Sequence, residues 1–315
     1  MINRSLLRVK VVQVLYAYFQ NENMTPKAAE KELNKSLGQI NDLYLFMLAL
    51  PVELTHYAEL YLDNQRNKYL PTDAERNPNM RFADNIWVKQ LAESQKLTDF
   101  ISKATFSWSA DDAMLPALYR EITHTEHYAD YMSQDVRSYE ADRDIWRKIY
   151  KTDVPMSAEI DTYLEEQSLY WNDDLDMVLS FVQKTIKHFT VDSVADDEIM
   201  TLVDEEADKE YLDFARTLFR TVISKSDKYE ALIDATVKNW EVERIAFMDT
   251  LIMKTALAEL FAFPTIPASV TLNEYIEIAK AYSTPRSAPF INGILDKIVT
   301  DLKASGKLVK PDGKL

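Results

Sequence analysis

The segment S-A-P-F-I-N-G-I-L-D-K-I-V, from Ser287 to Val299, carries the most informative pattern in the chain. Its apolar residues recur at helical spacing and predict one buried stripe made of Ile291, Ile294, Leu295, Ile298 and, just beyond the segment, Leu302. Ser287 is a candidate N-cap, and Pro289 then falls in the first turn, where its missing N–H costs little. The pattern predicts an amphipathic helix with Phe290 and Asn292 outside the stripe.

The N-terminal part of the chain also reads as helices. Residues 3–20 are apolar nearly all round, which is typical of a helix buried at the centre of a bundle. Thr25 and Pro26 form a cap followed by a first-turn proline, and they open a helical pattern that extends to about residue 67. Pro51 is a candidate kink within it.

Helical periodicity continues through the rest of the sequence, without the alternation of a strand. Residues 204–240 predict a long helix and a second one that starts after Ser226. Asn172 and Thr271 are candidate N-caps of two further helices. We therefore expect an all-α protein.

The acidic residues are concentrated in the middle of the chain. The net charge is −15, whereas residues 70–239 alone carry 19 basic and 35 acidic groups. A turn-rich segment at 71–80 predicts a domain boundary there. An acidic protein is ordinarily a poor ligand for nucleic acid, but residues 1–21 contain Arg4, Arg8 and Lys10 and no acidic residue.

The sequence lacks the catalytic and cofactor-binding motifs of most enzyme classes. The chain has no cysteine, and its four glycines are too far apart to form a phosphate-binding loop. There is no G-x-S-x-G segment, and the longest uncharged run, residues 260–273, is short and contains two prolines. We expect a non-enzymatic, cytoplasmic protein that uses no cofactor and spans no membrane.

Two E-x-x-H segments leave a metal site open as an alternative. Glu53 with His56, and Glu121 with His124, would each share one helix face, and carboxylate di-metal bundles use two such pairs plus two further Glu residues. The sequence does not single out those two bridging residues. Exposed polar faces of acidic helices therefore remain the simpler interpretation.

Three segments together resemble the NusB family of transcription antitermination factors. F-I-N-G-I-L-D-K at 290–297 is similar to the family's common F-V-N-G-V-L-D-K. The resemblance extends through residues 240–260 and through I-P-A-S-V-T-L-N-E-Y-I-E-I-A-K at 266–280. It covers about residues 205–303 and is recognisable again over 4–20.

The resemblance implies a NusB-like helical bundle that binds RNA. Such a protein would hold boxA-type single-stranded RNA in nascent transcripts such as ribosomal RNA. It would act with a small-subunit ribosomal protein (NusE) and join the RNA polymerase elongation complex indirectly. The residues implied for RNA, including Lys10 on its charge alone, are Arg4, Arg8, Lys10, Arg286, Phe290 and Asn292, and those implied for the ribosomal protein are Tyr16, Glu243 and Asp249.

The chain also departs from the family pattern. Ser5 and Leu6 stand where arginine is common, and an acidic helical region separates the two resembling parts. We therefore expect N-terminal bundle helices at 1–69, an acidic helical insertion at 70–204, C-terminal bundle helices at 205–303 and a basic flexible tail at 304–315. An acidic scaffold for a basic protein is a further alternative. The RNA hypothesis requires the two ends of the chain to form one surface.

Overall fold

The computed structural model describes residues 2–171, 173–238 and 245–311, and these ranges are helical without any strand. The described helices of the first half are α1 (Arg4–Gln20), α2 (Pro26–Arg66), α3 (Asp73–Arg76), α4 (Ile86–Ala92), α5 (Gln95–Lys103), α6 (Met114–Thr123), α7 (Glu126–Met132) and α8 (Tyr139–Lys148). After a π-helical turn (Ile149–Asp153) and a 3-10 turn (Val154–Met156) come α9 (Ala158–Gln167), α10 (Leu175–His188), α11 (Ala195–Glu198), α12 (Lys209–Val237), α13 (Phe247–Ala262), α14 (Ala268–Tyr282) and α15 (Ser287–Ala304). In the described part of the chain, no helix is long and apolar enough to cross a membrane. The all-α prediction is confirmed.

The chain forms two compact units. Unit 1 comprises residues 1–37 and 203–315, and unit 2 comprises residues 38–202. The expected first boundary lies after residue 69, whereas the division falls inside α2, between residues 37 and 38. The reason lies in the residues of α2 from 38 onward, which pack among the helices of unit 2.

Helix α13 is the core of unit 1. Residues 251–260 are all buried, and α1, α12, α14 and α15 pack against this helix. A helix that is apolar nearly all round needs neighbours on every side, and α13 has them. The stripe predicted for α15 is buried as expected. This arrangement brings the N-terminal helix into contact with helices formed more than 200 residues later.

The ends of α1 and α2 and the break within α12 lie close to where the sequence predicts them. α1 begins at Arg4, and the Thr25 hydroxyl accepts a hydrogen bond from the Ala28 N–H at 3.2 Å, as a cap should. The predicted break before the second half of α12 is confirmed, because Lys225 has non-helical angles (φ −124°, ψ 16°) there. The predicted cap at Asn172 lies outside the described residues.

Two predicted caps were wrong for a common reason. Ser287 is the first residue of α15, one position past the cap, and Thr271 is the fourth residue of α14; both are buried. Each hydroxyl donates to a buried carboxylate of α13 instead of accepting from the start of its own helix. A cap that also satisfies a carboxylate elsewhere cannot be recognised from local sequence.

Unit 2 is organised around stacked aromatic rings. Phe46 of α2 stacks on Trp108 with ring centroids 4.3 Å apart, and it also stacks on Trp171 with ring centroids 5.1 Å apart. The Trp108 indole N–H donates to the Phe46 carbonyl at 2.7 Å. Unit 2 contains 15 basic and 30 acidic residues, so its net charge of −15 equals that of the whole protein. Unit 1 is therefore neutral.

Candidate nucleic-acid interface

Arg4 lies at the surface of unit 1, where α1 meets the start of α12. Its guanidinium donates to Glu210 at 2.8 Å and sits 5.4 Å from the centre of the Phe214 ring. The Glu210 side chain is largely exposed. Exposed ion pairs of this kind contribute little to stability, so the arginine can exchange Glu210 for a phosphate at small cost.

Arg8 is placed differently from the expectation that it contacts RNA. It is only 2% exposed, and its guanidinium donates two hydrogen bonds to Glu259 of α13, at 2.7 and 2.8 Å. Glu274 of α14 lies 3.2 Å away. Burial works to lower the pKa of Arg8, but the hydrogen bonds and charge of Glu259 outweigh it and hold that pKa above its usual value. Arg8 therefore joins α1 to α13 and α14 in the interior.

The acceptor of Arg8 is itself held by two hydroxyl groups. Glu259 is fully buried and accepts from Thr271 Oγ1 at 2.8 Å and from the Tyr275 hydroxyl at 3.2 Å. Burial, followed by the charge of Glu259, raises the pKa of Tyr275 well above its usual value, so Tyr275 stays a donor. Every strong acceptor and donor in this group is satisfied, as a buried charge requires.

Lys10 is also in the interior of unit 1. It is fully buried and is engaged within the protein. The sequence already contained a sign of this, because residues 3–20 predicted a helix buried on nearly all sides. Charged residues in the middle of such a helix must point inward with the rest, so the expected surface role of Arg8 and Lys10 is corrected.

The junction between α14 and α15 holds the late group of predicted RNA residues. Arg286 and Asn292 are exposed there, and Phe290 is half-buried. The junction is held from beneath by Asp249, which accepts from Ser283 Oγ at 2.5 Å and from Ser287 Oγ at 2.9 Å. A cation, an aromatic ring and an amide thus lie on a junction that hydrogen bonds make rigid.

Asp249 was expected to contact a protein partner, but its carboxylate is used internally. It is buried in the first turn of α13, and both of its oxygens accept from the serines of the junction. Glu243, the other acidic residue expected at a partner, lies outside the described residues. Tyr16, in contrast, is at the surface.

Tyr16 forms an exposed aromatic pair that the sequence analysis did not anticipate. Its ring meets the Phe247 ring edge to face, with centroids 5.6 Å apart, and the two residues are 42% and 40% exposed. Aromatic rings that keep much of their surface in water are common anchors of protein interfaces. The position of Phe247 at the start of an apolar helix gave no sign of it, because such residues are usually buried.

The two groups of residues predicted to bind RNA lie at different positions along the axis of α13. Arg8 pairs with Glu259, and Arg4 lies one helical turn before Arg8 on α1, whereas Arg286 lies beside the residues that Asp249 holds. Ten helical residues separate Asp249 from Glu259, which corresponds to about 15 Å along α13. A ligand that touches both groups must therefore be extended.

The alternative metal site is not assembled in unit 2. His56 lies 3.9 Å from Glu59, while His124 Nδ1 lies 2.6 Å from the Arg120 carbonyl. Burial and a hydrogen bond with Glu159 raise the pKa of Glu121, whereas burial alone raises that of Glu53. Across the ranges that the structure describes, no three His, Asp or Glu side chains gather as metal ligands would.

The sequence matches a known family within its second half. The NusB family model matches residues 174–300. The match begins about 30 residues before the start of the resembling region and includes α10, which the sequence analysis assigned to the insertion. No solved structure matches the chain.

The matching relatives are bacterial transcription antitermination proteins. The chain is 43% identical to NusB of Salinibacter ruber over 98 residues, which is 31% of this chain and 61% of that protein. It is 37% identical to NusB of Koribacter versatilis over 103 residues, 33% of this chain and 70% of that protein. It is 31% identical to NusB of Natranaerobius thermophilus over 112 residues, 36% of this chain and 81% of that protein.

The match covers a different fraction of the length of each relative. The chain spans 61% of the Salinibacter protein, which is less than two thirds of its length. Over the Koribacter and Natranaerobius proteins it spans 70% and 81% at more than 30% identity. On these matches and on its helical unit 1, the chain belongs to the NusB family.

Proposed function

We propose that the protein is a non-enzymatic transcription antitermination factor that binds boxA-type single-stranded RNA together with a small-subunit ribosomal protein. The complex would hold nascent RNA, such as a ribosomal RNA leader, and join the elongating polymerase to favour read-through. The observation that carries the proposal is the surface position of Arg286 beside Phe290 on a rigid junction. A cation next to an aromatic ring suits a single strand, which offers a phosphate and an unstacked base together.

The RNA would run from the α14–α15 junction towards Arg4. Asp249 and Glu259 are about 15 Å apart along α13, and Arg4 lies about 6 Å beyond Arg8 on the antiparallel helix α1. The strand would therefore span about 21 Å, or about six nucleotides at a stacked spacing of about 3.4 Å. With Arg8 and Lys10 in the interior, two cations remain from the predicted set. The affinity should then fall with salt at a slope of about −1.4 in log K against log[salt].

A titration of labelled boxA RNA tests this proposal. The fluorescence anisotropy of the RNA is followed with the full chain, with and without the ribosomal protein, and with a scrambled RNA of equal composition. Tighter binding of boxA than of scrambled RNA supports the proposal. Equal affinity for both RNAs under both conditions refutes it.

The ribosomal protein would dock on the exposed Tyr16–Phe247 pair. This pair lies on α1 and α13, so an occupant would contact helices from both ends of the chain. Exposed aromatic anchors often cost 2 kcal/mol or more in binding when truncated, which is about 30-fold in affinity. We expect Tyr16→Ala with Phe247→Ala to weaken ribosomal-protein binding by at least that factor in isothermal titration calorimetry.

A matched control removes an aromatic residue that forms no ring pair with any residue the structure describes. Tyr69 is 97% exposed, and Tyr69→Ala should leave the affinity for the ribosomal protein within twofold. If Tyr69→Ala weakens binding as much as the double variant, the interface lies elsewhere.

A further inference from the structure

Unit 2 contains a depression of about 350 Å³ between α10 and the segment that follows α8. Its cationic residues are Arg147, Lys184 and Lys187, and its acidic residue is Asp176. Unit 2 has only 15 basic residues against 30 acidic ones. The gathering of three of these cations around one depression runs against the charge of the unit as a whole.

The backbone that forms one side of the depression is a π-helical turn. α8 ends at Lys148, and the chain continues through Ile149–Asp153 with the wider π-helical geometry, which is often found at functional sites. Tyr150 is buried in this turn, and its hydroxyl donates to the Met47 carbonyl. Gln183 of α10 donates to the Tyr150 carbonyl at 3.4 Å. The first bond fixes the turn to α2, and the second joins α10 to the turn along the side of the depression.

The three cations are only partly compensated by neighbouring groups. Arg147 lies 3.2 Å from Asp144, and the Lys184 ammonium lies 4.6 Å from the centre of the Phe181 ring. Lys187 has no ion pair or hydrogen bond among the described residues. Lys184 and Lys187 are three residues apart on one face of α10, a spacing at which like charges repel. A bound anion would relieve this repulsion.

We propose that the depression binds a small nucleoside phosphate. The phosphate groups would meet Arg147, Lys184 and Lys187, since guanidinium and ammonium groups are the usual phosphate ligands. Leu179 and Pro155 form the apolar part of the lining, against which a base or ribose can pack. A volume of about 350 Å³ lies within the range of pockets for small ligands.

The lining also contains polar groups that suit a nucleoside. Asp176 can accept hydrogen bonds from ribose hydroxyls or from an exocyclic amine, and Ser180 can donate to a phosphate oxygen. An inorganic anion would use the cations alone. The nucleoside phosphate uses the apolar lining and the carboxylate as well.

The surrounding charge favours a small ligand over a polynucleotide. Unit 2 has a net charge of −15, so an RNA strand that left the depression would run across an acidic surface. At physiological salt, charges beyond about 8 Å are largely screened. A ligand confined to the depression therefore interacts mainly with the three cations. This proposal is independent of boxA binding.

Isothermal titration calorimetry of the full chain with ATP, in the absence of divalent cations and RNA, tests the proposal. We expect saturable binding at one site, with tripolyphosphate at least fivefold weaker because it lacks the nucleoside. Lys184→Gln with Lys187→Gln should weaken ATP binding about tenfold. That factor is about 0.7 kcal/mol for each cation, within the range of exposed ion pairs.

The control variant changes the same charge elsewhere in unit 2. Lys89→Gln with Lys103→Gln removes two exposed lysines, each paired with one aspartate, and should leave ATP binding within twofold. Equal losses in both variants would show that ATP responds only to overall charge, and equal affinity for tripolyphosphate would show an unspecific anion site. A ten-nucleotide RNA that binds the depression more tightly than ATP would assign it to a polynucleotide. Each of these three results overturns the proposal.

Discussion

The replacement Glu259→Gln tests whether Arg8 is a structural residue. Arg8 is buried and donates two hydrogen bonds to the Glu259 carboxylate. Loss of the negative partner leaves the guanidinium charge in the interior, which typically costs about 3–5 kcal/mol. Glu274, 3.2 Å from Arg8 and partly exposed, supplies some compensation, so we expect about 3 kcal/mol.

The size of the effect can be followed by thermal unfolding. For a unit of 150 residues, 1 kcal/mol corresponds to about 2–4 °C in Tm, so the variant should unfold about 6–12 °C earlier. Circular dichroism at 222 nm follows the transition. Hydrogen exchange read by mass spectrometry should show the loss of protection in peptides of α1 and α13, because the pair joins these helices.

Two further variants distinguish the cost of an unpaired buried charge from the loss of the Arg8–Glu259 pair itself. Arg8→Met in the Glu259→Gln background should recover most of the lost stability, because removal of both charges leaves none unpaired. Arg4→Met breaks an exposed pair and should cost less than about 1 kcal/mol.

One pattern of results would refute the structural role of Arg8. If Glu259→Gln cost less than 1 kcal/mol, and if Arg8→Met lowered RNA affinity tenfold at unchanged Tm, Arg8 would be a surface contact to RNA.

Three other outcomes follow from the contacts described above. Arg286→Gln should flatten the salt dependence of RNA binding by about 0.7 in slope. Lys297→Gln, which changes an exposed lysine of α15, should leave the slope unchanged. Equal slopes for both variants would exclude Arg286 as a phosphate ligand. Asp249→Ala removes two charge-assisted hydrogen bonds from the α14–α15 junction. The free energy of unfolding, measured in urea, should fall by about 2–4 kcal/mol. A loss below about 1 kcal/mol would contradict the role assigned to this carboxylate. Hydrogen bonds from Lys68 and then from Thr72 lower the pKa of Glu75 to about 2. Because this pKa is depressed, the contribution of Glu75 is present above its ordinary pKa of 4.5 and is lost as the pH falls towards 2; a carboxyl titration by NMR with a midpoint near 4.5 would contradict it.

Some of the site residues could be assigned from sequence, and others could not. Local patterns predicted α1, α15 and the break near Ser226, because each depends on helical spacing within about 20 residues. The family resemblance and its positive charge placed Arg8 at an RNA surface, although the pattern of residues 3–20 is that of a buried helix. Its acceptor, Glu259, is 251 residues away, and no local pattern connects them.

The sequence by itself determined that the chain is helical, that its ends resemble one family and that its charge is concentrated in the middle. These properties follow from residue type and spacing, which need no partner. Only the tertiary structure decided which charged side chains are exposed. A charge can be buried where another element brings an opposite charge within hydrogen-bonding distance, as α13 does for Arg8, and otherwise it remains in water.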